Sequence, residues 1–307
     1  MKLFFKKIGG VLIVFLVLTF LLSIGSLWSL RKSSFYKPSF LVNAVETSKF
    51  DYIILGASTG LTTLDTKQID SILELTGINL SMDDTGIPSQ YLMLKHFLAE
   101  GKTTRYCIIA PGVSSYNAQN EKLSDNDYRF LMFTNRDYVH DYYKGFEDTE
   151  AKILSYSKHA PFIGVSFYNA ELFYPSLLTL LQPDKRNRFD NKGNYTYPVF
   201  QRNNDSIRFE KELKLAFRSP YLAKIKTLCD QNNIQLICYI SPMEGTKVNI
   251  TNSNYKSIDH SQIIKNKKYF YDKDHVNSLG RIQASKAFAQ ILKEVMTLET
   301  YVNKNGD

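Results

Sequence analysis

The sequence predicts an α/β protein with a three-layer α/β/α arrangement and a mostly parallel sheet, preceded by one transmembrane helix and carrying a mid-chain insertion. Short apolar runs rich in strand-forming residues alternate with stretches of helical apolar spacing. Continuous apolar runs of this kind are typical of parallel strands that helices cover on both faces. An uncharged N-terminal run predicts the membrane helix, and a loss of the alternation between about residues 113 and 204 marks the insertion.

The N-terminal run extends from Ile8 to Leu30 and contains no charged residue. As a helix it would be about 34 Å long, which is enough to cross a hydrocarbon core of about 30 Å. The excess of basic residues before the run over those after it favours a cytoplasmic N-terminus. These residues are Lys2, Lys6 and Lys7 before the run, and Arg31 and Lys32 after it.

We interpret residues 1–32 as a cytoplasmic tip and an uncleaved anchor that contacts the lipid bilayer through residues 8–30. No second apolar run of spanning length follows, so we expect a single-pass protein of the cytoplasmic membrane with its body on the extracytoplasmic side. A cleaved signal peptide, with a small-residue processing site at residues 23–25, is the competing interpretation.

Charge and cysteine content exclude several functional classes. The net charge of +8 falls to +3 when residues 1–32 are set aside, because that segment holds five of the 38 basic residues and none of the 30 acidic ones. So small a surplus, without interleaved aromatic residues, argues against a nucleic-acid partner. The three cysteines have no CxxC spacing, which argues against a disulfide framework or a zinc site, and Cys107 and Cys238 are expected in the core.

The folded domain is expected over residues 49–300, after a connector at 33–48 and before a tail at 301–307. Strands are predicted at residues 51–55, 77–82, 105–110 and 234–240. Helices are predicted at residues 61–75, 88–99, 206–231 with an interruption near Pro220, and 278–301.

The insertion at about residues 113–204 is rich in Tyr, Phe and Asn, and residues 190–194 are a clear turn signal. We expect helices and a hairpin held on the same sheet. Its aromatic residues are spaced for helix packing, with stacking on a sugar as the alternative; they include Phe167, Tyr168, Phe173 and Tyr174.

Two short blocks carry the candidate chemistry. Ser58 follows the first predicted strand, and Asp272-Lys273-Asp274-His275 comes just before the last predicted helix. A serine hydroxyl becomes a nucleophile when an imidazole takes its proton, and a carboxylate orients that imidazole. The pattern predicts Ser58 as nucleophile, His275 as base and Asp272 as its partner, with Asp274 as a competing carboxylate. The non-catalytic alternatives are a turn or N-cap serine and a surface histidine that caps the last helix.

With these residues in this order, the chain resembles the SGNH/GDSL-type hydrolases. It is most similar to the membrane-anchored branch that serves polysaccharide O-acetylation and teichoic-acid D-alanylation at bacterial surfaces. In that family the nucleophilic serine follows the first strand, a D-x-x-H block near the C-terminus holds the other two catalytic residues, and an Asn-x-x-Gly is common after it, here Asn277 to Gly280. The resemblance spans about residues 50–295 and implies an SGNH/flavodoxin-like sheet.

The family's oxyanion residues have weaker counterparts here. Gly86 is the candidate after the second strand. The family's asparagine after the third strand is replaced by Pro111-Gly112-Val113-Ser114-Ser115, which leaves Ser114 and the out-of-register Asn117 as candidates. No cofactor is indicated, and no metal is expected because Asp83 and Asp84 have no histidine or third carboxylate nearby in the sequence.

The resemblance implies a serine esterase or O-acyltransferase that acts on acyl groups of a cell-envelope glycan, together with a multi-pass membrane acyltransferase as partner. The alternative is a catalytically inactive protein of the same fold that binds or scaffolds within an assembly for envelope polysaccharide modification. The departure from the oxyanion pattern motivates that alternative.

Overall fold

The computed structural model describes residues 1–200, 202–251 and 254–305, with the backbone alone for residues 298–305. The chain divides into two compact units. One contains residues 1–46 and 127–187, and the other contains residues 47–126 and the chain from Arg188 onward.

The strands and helices are numbered along the chain. The strands are β1 (Lys49–Gly56), β2 (Gly77–Asn79), β3 (Thr103–Ala110), β4 (Lys211–Leu215), β5 (Gln235–Ile240), β6 (Thr246–Ile250) and β7 (Ser257–Asp259). The α-helices are α1 (Lys2–Lys32), α2 (Lys37–Asn43), α3 (Ser58–Thr63), α4 (Thr66–Leu73), α5 (Ile87–Ala99), α6 (Asp137–Lys144), α7 (Thr149–Tyr156), α8 (Pro161–Phe167), α9 (Asn169–Leu181), α10 (Pro220–Gln231) and α11 (Ser278–Asn305).

The second unit is built on a five-stranded parallel sheet with the order β2-β1-β3-β5-β7. An α/β class with a parallel sheet is therefore confirmed. The C-terminal halves of β1 and β3 and nearly all of β5 are buried, as expected for strands with continuous apolar runs. The register pairs Gly56 with Ala110 and Ile109 with Cys238, which brings the carboxyl ends of β1, β3 and β5 to one edge.

Helices pack on this sheet through alternate strand residues. Tyr52, Ile108 and Tyr239 belong to one core cluster that also contains residues of α4 and α11, among them Ile69 and Phe288. Helix α5 contacts β1 and β3, and α10 contacts α5 and β5. Because successive residues of a strand point to opposite faces, apolar runs without polar interruption can pack against helices on either side. Cys107, Cys229 and Cys238 are buried and unpaired, so the two core cysteines are confirmed.

The C-terminal part of the sheet unit differs from the sequence prediction. The helix expected over residues 206–231 is a strand, β4, followed by α10, which begins at Pro220. Strand β4 pairs in parallel with β6 in a second, two-stranded sheet. Strands β6 and β7 were not predicted. The segment Lys-Glu-Leu-Lys-Leu of β4 is too short and too charged for its apolar period to distinguish a strand from a helix.

The first unit contains α1, α2 and the helical part of the insertion, α6–α9. Helix α1 is long and apolar enough to cross a membrane, with a mean hydropathy of 2.7 over its most apolar stretch, and it is the one such helix among the described residues. From the sequence we expected the insertion to be held on the sheet. In the structure its helices α8 and α9 pack against α1, a contact that was not predicted. The turn at residues 190–194, which belongs to the sheet unit, forms as predicted around Asp190, whose Oδ1 accepts the backbone N–H of Lys192 and of Asn194 at 2.9 Å. No hairpin ladder flanks that turn in the described backbone.

Candidate active site

The candidate site lies at the carboxyl edge of the parallel sheet. Strand β1 is flanked by β2 on one side and by β3 on the other, so the strand order reverses between β1 and β3. In open α/β sheets ligands bind in the crevice outside the carboxyl ends of the strands at such a reversal. Ser58 follows β1, the segment from Pro111 to Ser114 follows β3, and Ser241 follows β5.

Ser58 is held at this edge by a tight strand-to-helix turn. Strand β1 ends at Gly56, and α3 begins at Ser58. A Cβ atom on Gly56 would lie 2.3 Å from the carbonyl oxygen of Ala110, so only glycine allows this approach of β1 to the end of β3. As the first residue of α3, Ser58 also has a backbone N–H without a partner inside the helix.

The D-x-x-H block folds into a compact turn around the Asp272 carboxylate. Asp272 Oδ1 accepts the backbone N–H of Asp274 at 2.9 Å and that of His275 at 2.8 Å. The backbone N–H of Tyr271 donates to the carbonyl oxygen of His275 at 2.8 Å. The spacing of three residues thus lets one carboxylate hold both the turn and the imidazole that follows it.

The Asn-x-x-Gly pattern then starts the last helix and fixes the block. Asn277 Oδ1 accepts the backbone N–H of Leu279 and of Gly280, while its Nδ2 donates to the carbonyl oxygen of Lys268 at 2.7 Å. A Cβ atom on Gly280 would lie 2.2 Å from the carbonyl oxygen of Tyr269, so the start of α11 needs glycine there. Helix α11 begins at Ser278, as predicted.

The three predicted catalytic side chains form one hydrogen-bonded chain. His275 Nδ1 lies 2.9 Å from each oxygen of the Asp272 carboxylate, and His275 Nε2 lies 2.8 Å from Ser58 Oγ. An ionised carboxylate can only accept, so Nδ1 carries the imidazole proton and donates to Asp272. Nε2 is then an acceptor, and the Ser58 hydroxyl donates to it. This is the arrangement in which an imidazole can take the serine proton.

Asp272 is electrostatically suited to remain ionised. Its partial burial raises the pKa of the carboxyl group, but the hydrogen bonds from the His275 ring and from two backbone amides outweigh burial and bring the pKa below its ordinary value. The Asp272 side chain is 48% exposed and that of His275 is 18% exposed. The charge that stabilises an imidazolium therefore lies at the mouth of the site rather than in the core.

Ser58 and His275 open into a cleft of about 480 Å³. One wall comes from the segments that follow β1, β3 and β5, and the other comes from the two-stranded sheet. The lining residues are Ser58, Thr59, Gly112, Val113, Ser114, Lys211, Glu212, Leu213, Ser241, Met243, Thr246, Asp274 and His275. A cleft of mixed polar and apolar lining beside a serine and an imidazole can accept an ester carbonyl.

The structure brings only one of the three predicted oxyanion residues to this cleft. Ser114 lines it. The backbone N–H of Gly86 donates instead to Ser124 Oγ at 2.8 Å. Asn117 uses both ends of its amide on the end of β4, donating to the carbonyl oxygen of Lys214 and accepting from the backbone N–H of Ala216, each at 2.8 Å. Neither Gly86 nor Asn117 is among the described residues of the cleft wall.

Several residues at the site were missed from the sequence. The Tyr197 ring packs with its edge against His275, at 5.3 Å between centroids, and stacks on Tyr271 at 4.3 Å. Its backbone carbonyl accepts the N–H of Ser278, which ties Tyr197 to the start of α11. Ser241 lines the cleft with a buried hydroxyl that has no hydrogen-bond partner among the described atoms. Ser241 directly follows a predicted strand, so the rule that placed Ser58 was a usable signal for it.

Two side chains with suitable chemistry, the competing carboxylate of Asp274 and the imidazole of His260, lie outside the hydrogen-bonded chain of Ser58, His275 and Asp272. Asp274 contributes its backbone N–H to the Asp272 carboxylate, and its own side chain is exposed at the cleft. His260 is buried against the Tyr239 hydroxyl, with its Nδ1 at 3.1 Å, in a packing role. Within the described parts of the chain, no three His, Cys, Asp or Glu side chains gather as they would around a metal ion.

No protein-family model matches the chain, and no curated protein matches its sequence significantly.

Proposed function

We propose that the protein is a membrane-anchored, extracytoplasmic serine esterase or O-acyltransferase of the SGNH type, acting on acyl groups of a cell-envelope glycan. The observation that carries the chemistry is the hydrogen-bonded chain from Ser58 through His275 to Asp272. Ser58 and His275 lie 217 positions apart in the sequence, and a structural serine or a helix-capping histidine has no need of such a partner. The strand order β2-β1-β3-β5-β7, with helices packed through alternate strand residues, supports the three-layer SGNH arrangement.

In the acylation step Ser58 Oγ attacks the carbonyl carbon of the acyl ester while His275 Nε2 takes the hydroxyl proton. Asp272 holds the imidazole in the tautomer that leaves Nε2 free and stabilises the imidazolium. The tetrahedral intermediate collapses when the C–O bond to the leaving alcohol breaks, and His275 returns the proton to that alcohol. Water or a sugar hydroxyl then attacks the acyl-serine, and the same proton transfers release the product and Ser58.

The oxyanion of the intermediate needs donors beside Ser58. The unpartnered N–H of Ser58 in the first turn of α3 supplies the first one. The segment from Gly112 to Ser114, which lines the cleft, supplies the second, since the Gly86 amide is bonded to Ser124. The asparagine donor of the SGNH pattern is absent from this position, and the loss of one donor lowers turnover by about 10²- to 10³-fold. We therefore expect slower turnover than a triad with the complete set of donors supports.

The anchor part of the proposal rests on α1. Its buried residues, Ser23, Ser26, Ser29 and Leu30, lie in its C-terminal part, and Ser29 is hydrogen-bonded to α9. The apolar run continues past the small residues at 23–25 as far as Leu30, which supports a retained anchor. The basic residues before the apolar run support a cytoplasmic N-terminus and an extracytoplasmic body. A multi-pass acyltransferase as partner rests on the resemblance alone.

The test is the intact mass of the full-length protein in detergent after incubation with a small activated acetyl ester. Wild type should show a transient acetyl adduct on Ser58, and Ser58→Ala should show neither adduct nor turnover. The exposed Ser206 provides a matched control, because Ser206→Ala removes a hydroxyl away from the triad. Turnover retained by a folded Ser58→Ala protein would refute the assignment.

A scaffold function is the second candidate, and one observation favours it. Both ends of the Asn117 amide are hydrogen-bonded at the end of β4, so the asparagine donor of the SGNH pattern has no equivalent here. A fluorophosphonate probe distinguishes the two, because it labels a serine only when an imidazole activates it. Labelling of wild type, but not of His275→Ala, would exclude the scaffold.

A further inference from the structure

Helix α9 has a buried face of mixed polarity and an exposed apolar face. One face is buried within its own unit and includes Leu172, Pro175, Ser176 and Thr179. The opposite face is open to the surroundings, at positions spaced by three, four and seven residues. It consists of Phe173, Tyr174, Leu177, Leu180 and Leu181, which are exposed by 37%, 72%, 47%, 58% and 84%, and we call it the outer face of α9. A contiguous apolar stripe of this kind marks a surface for lipid or protein contact.

The buried face fixes α9 to the C-terminal part of α1. Ser29 Oγ donates to the carbonyl oxygen of Ser176 at 2.9 Å and shares a hydrogen bond with the Thr179 hydroxyl at 2.8 Å. Ser23 and Ser26 are buried on α1 at helical spacing from Ser29. Polar groups bonded between two helices away from water specify one relative position, so α9 stays beside Ser29 of α1.

This attachment sets the depth of α9. The apolar run of α1 ends at Leu30, and a hydrocarbon core of about 30 Å takes up about 20 residues of it. Ser23, Ser26 and Ser29 therefore occupy the last two turns of the span. A helix bonded to Ser29 lies at the same level, so the outer face of α9 meets the boundary between acyl chains and headgroups rather than bulk water.

The residues at the end of α9 match that boundary. The backbone N–H of Ser34 donates to the carbonyl oxygen of Pro183 at 2.7 Å, so the chain leaving α9 runs beside the chain leaving α1. Lys185 and Arg186, with Asp184, follow there, near the basic end of α1 at Arg31 and Lys32. Trp28, 57% exposed on α1, and Tyr174 on α9 supply aromatic side chains, which are enriched at membrane interfaces.

We propose that α9 is a second membrane-contacting element, whose outer face is immersed in the lipid bilayer beside α1. The proposal rests on the membrane anchorage within the proposed function and is independent of the catalytic assignment. Lipid is the favoured occupant, because α9 is hydrogen-bonded directly to α1 and the exposed apolar surface of α1 itself needs lipid. An amphipathic helix held in this way restricts the tilt of its own unit relative to the bilayer.

The test is site-directed spin labelling of the full-length protein in vesicles of phosphatidylcholine and phosphatidylglycerol. Nitroxides are placed at Leu177→Cys and Leu181→Cys, and the three native cysteines are buried and do not compete for the label. Collision with oxygen reports lipid, and collision with a water-soluble nickel chelate reports water. Leu12→Cys in α1 is the lipid reference, and Lys286→Cys on the exposed side of α11 is the water reference.

Labels on α9 should collide with oxygen as the Leu12 label does and should be protected from nickel. Nickel accessibility equal to that of the Lys286 label would overturn the proposal. Low accessibility to both reagents, with or without dipolar broadening between copies, would place a protein surface on α9 and would overturn it too. If the Leu12 label were itself accessible to nickel, the anchorage within the proposed function would fail rather than the assignment of α9 alone.

Discussion

Replacing Asp272 by asparagine should abolish most ester turnover while leaving the turn around it intact. In wild type Oδ1 accepts two backbone amides, and both oxygens face His275 Nδ1. The asparagine oxygen can keep the two amide hydrogen bonds, because an amide oxygen accepts as a carboxylate oxygen does. The amide nitrogen then faces Nδ1, which must accept, so the imidazole proton moves to Nε2. A protonated Nε2 donates to Ser58 and cannot take its proton.

The expected loss is about 10⁴-fold in turnover, the effect of the same exchange in a serine-protease triad, where the tautomer is also inverted. At about 1.4 kcal/mol for each tenfold change, this is about 5 to 6 kcal/mol of lost transition-state stabilisation. Stability should change far less, since the Asp272 side chain is half exposed. Because the folded-state pKa of Asp272 is lowered, its contribution to stability is present at neutral pH and is lost as the pH falls through that pKa.

The assay is hydrolysis of a small activated acetyl ester, with circular dichroism and thermal unfolding to check the fold. Asp274→Asn is the matched control: it neutralises the neighbouring carboxylate, whose backbone N–H, not its side chain, joins the turn. The control should retain most of its turnover. Equal loss in both variants, or an Asp272→Asn protein as active as wild type, would refute the assignment of Asp272 as the orienting carboxylate.

Three further predictions follow from the packing around the site. Gly56→Ala should destabilise the sheet unit by about 3 kcal/mol, because its Cβ would lie 2.3 Å from the Ala110 carbonyl oxygen, and an unchanged melting temperature would contradict this. Burial lowers the pKa of His260 to about 4, so protonation of this side chain favours the unfolded state. Its contribution should lower the free energy of unfolding by about 3 kcal/mol between pH 6.5 and 4, and chemical unfolding of His260→Gln at both pH values should lack this decrease. Asn117→Ala should cost about 2 kcal/mol through two lost hydrogen bonds to β4 while sparing turnover, and a large loss of ester hydrolysis would instead assign Asn117 to the oxyanion.

The sequence was sufficient for features that depend on local pattern. The apolar runs of β1, β3 and β5 predicted buried parallel strands, because covered strands need continuous apolar residues. Local pattern also predicted three helical features. They are the long apolar helix α1, Pro88 in the first turn of α5, and the start of α11 at Ser278. The D-x-x-H spacing predicted an imidazole held by a carboxylate three residues earlier, since both groups belong to one turn.

Only the tertiary structure decided which polar groups remain available at the site. Gly86 and Asn117 have suitable chemistry, but Ser124 and β4 take their hydrogen bonds, and those partners lie 38 residues from Gly86 and 97 to 99 residues from Asn117. Tyr197 lies beside His275 because its backbone forms a β-bridge with Asn277, and no local sequence pattern predicts that pairing. The contact of Ser58 with His275 likewise forms only when the sheet order brings their strands and turns to one edge. Chain composition determines which residues can act, whereas competition among distant hydrogen-bond partners, settled by packing, determines which of them do.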